Sequence, residues 1–216
     1  AFEGFDKNGN NIYYTSTEVS PLERHFYKHN LKNGKKVKIT KEHGTHGVTP
    51  SASGKYFIDS YSSTDVARNV DIMDANGKYV KRLHEAVDPL KDYNIGTIEL
   101  GELKAEDGQT LYTRMIKPYN FDENKKYPVI IYVYGGPHAQ MITDNWTADA
   151  GIYLHYLSQE GFIVFTLDNR GSADRGEAFE QVIHRQCGQA EMRDQKVGID
   201  YLKTLPYVDA ERIGTD

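Results

Sequence analysis

Along residues 1–92 apolar side chains recur in short runs, and no stretch has helical spacing. Residues 11–17 (NIYYTST) and 55–61 (KYFIDSY) are rich in aromatic and β-branched residues, which suit a pleated, half-buried strand. Turns at Asn8-Gly9-Asn10, Asn33-Gly34, Ser53-Gly54 and Asn76-Gly77 punctuate these runs, because Gly and Asn accept the positive φ of tight hairpins. Aligning the turns exposes a repeat: Gly9 and Gly54 stand 45 residues apart, Gly34 and Gly77 stand 43 apart. Each unit holds an aromatic strand, a second strand (25–28 and 69–73), an Asn-Gly turn and a third strand (37–40 and 79–83). The spacing matches blades of a β-propeller; a free-standing antiparallel sheet is the alternative.

From about residue 96 the pattern changes. Residues 96–100 and 110–116 alternate around an Asp107-Gly108 turn and predict an antiparallel hairpin. Residues 127–134 and 162–167 are nearly continuous apolar runs, as expected of strands covered on both faces. A helix is predicted over about 148–159, with Ile152, Tyr153, Tyr156 and Leu157 as its apolar stripe and Gly161 as its stop. A second is predicted over about 189–204, with Val197, Tyr201, Leu202 and Leu205 on one side and Pro206 beyond its end. Arg212-Ile213-Gly214 reads as the opening of another strand. The order β, β, β, α, β, α predicts a mainly parallel α/β sheet with an antiparallel start.

Composition narrows the classes. With 38% hydrophobic and 26% charged residues the chain can build a packed core, and broadly disordered or collagen-like chains are excluded. A net charge of −5 argues against nucleic acid as a partner. The single Cys187 can form neither an internal disulfide nor a thiolate metal site by itself. No apolar run is long enough for a membrane-spanning helix. No basic-then-apolar leader opens the chain, so the expectation is either a cytosolic protein or one whose N-terminus has been removed.

Two segments carry candidate chemistry. Tyr134-Gly135-Gly136-Pro137 follows a buried strand directly, at the carboxyl end where α/β sheets place ligands. Its glycines allow close backbone approach, and a Tyr hydroxyl there can donate to an oxyanion; alternatively Gly-Gly-Pro only turns the chain and Tyr134 packs in the core. Asp168-Asn169-Arg170-Gly171-Ser172 ends the next buried strand on the same side. Ser172, with Asp174 and His184 nearby in sequence, is a candidate nucleophile, but no G-x-S-x-G turn occurs. A structural loop, with Asp168 or Arg170 tying strand ends together, is the simpler expectation. The pairs His25/His29 and His43/His46 lack a third ligand and are expected to be polar loop and surface-strand residues. Cys187, beside His184 and Arg185, has no assignable base and is expected to be idle or packed. Glu191, Arg193, Asp194 and Lys196 are expected on the solvated face of a helix.

The motifs in residues 132–137 (YVYGGP), 168–172 (DNRGS) and 185–194, in this order and spacing, resemble the prolyl oligopeptidase family of serine peptidases, in its dipeptidyl peptidase IV branch. Residues 16–27 and 135–140 (GGPHAQ) are most similar to the bacterial prolyl tripeptidyl aminopeptidases of that branch. The resemblance implies an α/β fold with an all-β part: residues 1–92 as the last blades of a β-propeller, and residues 93–216 as the N-terminal part of an α/β-hydrolase catalytic domain. It implies a parent exopeptidase that cuts after proline near a free amino terminus through a Ser, Asp, His triad. The family's nucleophile elbow would begin a few residues past Ile213, so this chain is expected to be a fragment, inactive alone. Tyr134 matches the tyrosine that supplies half of the oxyanion hole. No cofactor or metal is implied. A peptide substrate, a homodimeric parent and a periplasmic or cell-surface location are implied by the same resemblance. The alternative is a non-catalytic binding module.

Overall fold

A computed structural model describes residues 1–216, and the chain divides into two compact units. The first comprises residues 1–89 together with 143–147. It contains two four-stranded antiparallel sheets, each with its strands in sequence order. The first sheet is β1 (Phe2–Phe5), β2 (Asn11–Ser16), β3 (His25–Asn30) and β4 (Lys36–Lys38); the second is β5 (Thr45–Pro50), β6 (Tyr56–Ser63), β7 (Val66–Asp74) and β8 (Tyr79–Glu85). Such four-stranded meanders have the form of propeller blades. Gly9, Gly34, Gly54 and Gly77 all have positive φ at the predicted hairpin turns. The strands β1 and β5 were not anticipated by the three-strand repeat.

Tyr13, Phe26, Ile39, Phe57 and Met73 form the apolar core of this unit. Tyr13 stacks on Phe26 with centroids 5.5 Å apart, and both meet the Phe57 ring edge-on. Beside this core lies a buried polar group, which corrects the expectation of surface histidines. His25 is wholly buried and hydrogen-bonds with Thr40 Oγ1 (3.0 Å) and Glu23 Oε2 (2.8 Å). His46 is likewise buried, held by the Asp59 carboxylate at 2.9 Å and by the Glu42 carbonyl. Its ring stacks on Tyr61 and lies 5.1 Å from that of His25. Each imidazole is a paired structural element, because a buried polar group without a partner would be costly.

Residues 143–147 return to this unit. The Asp144 N–H donates to the Leu22 carbonyl (2.7 Å), and its carboxylate accepts from the Thr64 N–H (2.9 Å) and pairs with His43 Nδ1 (2.8 Å). The Trp146 N–H donates to Ser62 Oγ.

The second unit, residues 90–142 and 148–216, is built on a five-stranded mixed sheet. Its strands are β9 (Thr97–Lys104), β10 (Thr110–Lys117), β11 (Tyr127–Ile131), β12 (Ile163–Leu167) and β13 (Val208–Thr215), in the order β13-β11-β12-β10-β9. The pairs β9–β10 and β10–β12 are antiparallel, and β11 is parallel to both β12 and β13. Every residue of β12 is buried, as its apolar run requires. One face packs Leu111, Val129, Phe165 and Leu202 together; the other packs Ile116, Leu154, Leu157 and Val164.

Three helices join the strands: α1 (Ile152–Gln159), the single-turn α2 (Glu177–Glu180) and α3 (Ala190–Thr204). The buried face of α1 is Leu154, His155, Leu157 and Ser158, whereas Ile152, Tyr153 and Tyr156 are exposed, so the predicted stripe is displaced around the helix. The helix starts only at Ile152, and its contacts with Ile116 and Val164 of the sheet choose the face. The buried side of α3 is polar over its first half, with Glu191, Asp194 and Gln195, and Leu202 follows further on.

Candidate active site: two loops at the ends of β11 and β12

Because β11 and β12 are parallel neighbours, the segments that follow them leave the sheet on the same side. Tyr132 and Val133 continue the pairing of β11 through N–H bonds to the Phe165 and Asp216 carbonyls. Tyr134 then breaks from the sheet and is 60% exposed, so it is not a core residue. Gly135 turns the chain at φ 68°, a conformation that favours glycine. The loop is tied to its neighbour where the His138 N–H donates to the Gly171 carbonyl at 3.0 Å. His138 Nδ1 also pairs with the Glu180 carboxylate.

The loop after β12 is buried throughout residues 168–172 and is held by charge. The Asp168 carboxylate accepts from the N–H groups of Met141 (2.8 Å) and Ile142 (3.1 Å), fixing the far end of the Tyr134 loop. Burial pushes its pKa up to about 6, against the opposing effect of those two donors and of Arg114. Arg170 donates from Nε and Nη2 to the wholly buried Asp194 of α3, and its Nη1 reaches Asp107 in the β9–β10 turn at 2.8 Å. Asp194 also accepts from the Arg170 backbone N–H at 2.8 Å. Asp168 and Arg170 thus tie strand ends together, as a structural loop would.

Of Glu191, Arg193, Asp194 and Lys196, expected on a solvated face, two are buried instead. Asp194 and Glu191 are buried, the latter accepting from the Gly188 N–H at 3.1 Å. Arg193, paired with Glu106, and Lys196, paired with Asp200, are exposed as expected.

Ser172 is buried, and its hydroxyl donates to the Asn169 carbonyl at 2.7 Å. That hydroxyl is oriented toward a carbonyl, not toward His184, so the loop presents no activated nucleophile. Cys187 is exposed and lines a cavity of about 220 Å³ with Pro137, His138, Glu180, Ile183 and His184. No group of three or more His, Cys, Asp or Glu side chains is arranged to hold a metal ion.

Arg114 escaped the sequence reading. It is wholly buried in β10; Nη1 donates to the carbonyls of Met141 (2.9 Å) and Ala148 (2.5 Å), and Nη2 to Thr166 Oγ1 (3.1 Å). One guanidinium therefore holds the chain where it departs for residues 143–147 and where it returns. Beyond it the chain takes positive φ at Thr147, Ala148 and Asp149 in succession. The one signal available beforehand was a lone charge beside Met115 and Ile116 in β10, where a buried strand admits a charge only with partners.

Two blade-type meanders and a mixed sheet with ordered loops at its parallel strand ends define a predominantly β protein with a candidate ligand-facing edge. Residues 1–68 match the model of the dipeptidyl peptidase IV N-terminal region, and residues 149–216 match that of the prolyl oligopeptidase family. Two stretches of the chain are thus similar to the prolyl oligopeptidase family and to the N-terminal region of dipeptidyl peptidase IV. It is 30% identical to dipeptidyl peptidase 8 of Mus musculus over 215 residues, covering 94% of this chain and 24% of that protein. The chain thus spans about a quarter of the length of this curated relative. Among solved structures, a dipeptidyl aminopeptidase IV candidate from Bacteroides ovatus superposes with a TM-score of 0.92 at 41% identity, covering 100% of this chain and 31% of that one. Porphyromonas gingivalis dipeptidyl peptidase 4 gives 0.90 at 32% identity, with coverages of 99% and 30%.

Proposed function

We propose that these residues are part of a serine exopeptidase that cleaves after proline near the free amino terminus of peptides. In this reading residues 1–92 are the last blades of a β-propeller, and 93–216 are the N-terminal part of an α/β-hydrolase domain. The triad Ser, Asp and His lie outside the 216 residues, and the parent is a homodimer. The serine attacks the scissile carbonyl, the histidine takes its proton, and the developing oxyanion accepts a hydrogen bond from the Tyr134 hydroxyl. Collapse expels the leaving amine and leaves an acyl-enzyme, which water hydrolyses.

The observation that carries the proposal is the placement of Tyr134. It is an exposed phenol at the carboxyl end of β11, on a loop anchored at Gly171 and Asp168, in a chain similar to dipeptidyl peptidases. The relatives' names favour release of dipeptides over tripeptides.

The test is hydrolysis by the full-length protein of Gly-Pro and Ala-Ala-Pro p-nitroanilides, each with a free and an acetylated amino terminus. Cleavage of the free Gly-Pro substrate, its loss on acetylation, and fluorophosphonate labelling of a serine outside these residues are expected. Equal cleavage of the acetylated substrates would contradict an exopeptidase, and absence of both hydrolysis and labelling would favour a non-catalytic binding module.

A further inference from the structure

The two glycines after Tyr134 differ in what they require. Gly135 sits at φ 68°, so its identity follows from the backbone. Gly136 has no positive φ, and backbone conformation therefore does not explain it. Space does: a Cβ on Gly136 would lie 2.9 Å from Cε1 of the Tyr134 ring and 3.5 Å from its Cδ1 and Cζ. The ring occupies the volume that any side chain at position 136 would need.

We propose that Gly136 is a positioning residue for Tyr134, its missing side chain forming the seat that fixes where the phenol presents its hydroxyl. The inference rests on the reading of Tyr134 as an oxyanion donor. The backbone on either side is held by the Tyr132 and Val133 N–H bonds to Phe165 and Asp216, and by that of His138 to Gly171. The ring rests over Gly136 with its other side exposed, so it can be pushed outward by a side chain added there. An added methyl group at 136 therefore displaces the ring and leaves the backbone in place. A donor displaced by about 1 Å loses most of its advantage, because stabilisation of an oxyanion depends on preset geometry.

The test is a double-mutant cycle in the full-length enzyme on an Xaa-Pro anilide. Gly136→Ala is expected to lower kcat about 10- to 100-fold with KM within about twofold, and to add less than about twofold in a Tyr134→Phe background. Wild-type turnover in Gly136→Ala, or a loss undiminished in the Phe background, would overturn the positioning role. Unchanged turnover in Tyr134→Phe alone would instead remove the oxyanion reading, and this inference with it. As a check on folding, NMR of ring-labelled tyrosine should show the Tyr134 resonance of Gly136→Ala moved and the other tyrosines unmoved; an unmoved Tyr134 signal would also overturn the proposal.

Discussion

Arg170 and Asp194, 24 residues apart, meet as a buried ion pair in which one carboxylate accepts from the guanidinium Nε and Nη2 and from the Arg170 backbone N–H. Taking either charge out of water is costly, and the geometry offsets that cost only while both partners remain. Asp194→Ala is therefore expected to destabilise the protein by about 3–5 kcal/mol. Glu106→Ala, which removes a partner more than half exposed, should cost less than about 1 kcal/mol. Thermal unfolding of the two variants checks the contrast, and equal effects would contradict it.

Asp168 gives a pH dependence with a defined sign. Its folded pKa, about 6, lies above the 3.8 of the free side chain because burial disfavours the carboxylate. The folded state therefore binds the proton more tightly. The resulting stabilisation is fully present below pH 3.8 and is lost as pH rises through about 6. Its full extent is on the order of 3 kcal/mol. Stability of the wild type relative to Asp168→Asn is expected to fall across that window and to be level above it; a difference that stays constant with pH would contradict the assignment.

Gly96 and Gly151 predict opposite tolerances. A Cβ at Gly96 would lie 1.9 Å from the Lys117 carbonyl oxygen, which is fixed backbone, whereas nothing stands within 4 Å of one at Gly151. Gly96→Ala should cost about 1–3 kcal/mol or more, and Gly151→Ala less than about 1 kcal/mol. Unfolding midpoints of the two variants provide the comparison.

The hydrogen bond from Asp144 raises the pKa of the half-exposed His43 above its ordinary value of 6.5, so the protonated form is favoured in the folded state. This contribution is fully present below pH 6.5 and is lost as pH rises through the raised folded value. The Thr64 N–H, which donates to the same carboxylate, reports on the pair. After correction for intrinsic exchange, its protection should fall with rising pH in the wild type and stay level in His43→Gln.

Much of the strand pattern was legible because it depends on local rules. Aromatic and β-branched runs between Asn-Gly turns located β2, β3, β6 and β7, and continuous apolar runs located β11 and β12. The strands β1 and β5 precede the aromatic strand of each unit and carry a weak apolar signal, with exposed residues in both. Burial of charge was not legible. Glu191 and Asp194 look solvated on a helical projection, and only the fold brings Arg170 to one of them. Arg114 and the pair His25 and His46 share that property, since their partners come from distant strands and loops. Tyr134 was singled out by a resemblance together with its place after an apolar strand, while the closeness of its ring to Gly136 required coordinates.

The central claim is that Tyr134 donates to the oxyanion of a peptidase, and kcat and KM of the Tyr134→Phe variant of the full-length enzyme test it most directly. The substitution removes one oxygen from an exposed ring and should leave the fold intact. A fall in kcat of about two to three orders of magnitude with KM nearly unchanged is the predicted result. Turnover equal to that of the wild type would contradict it.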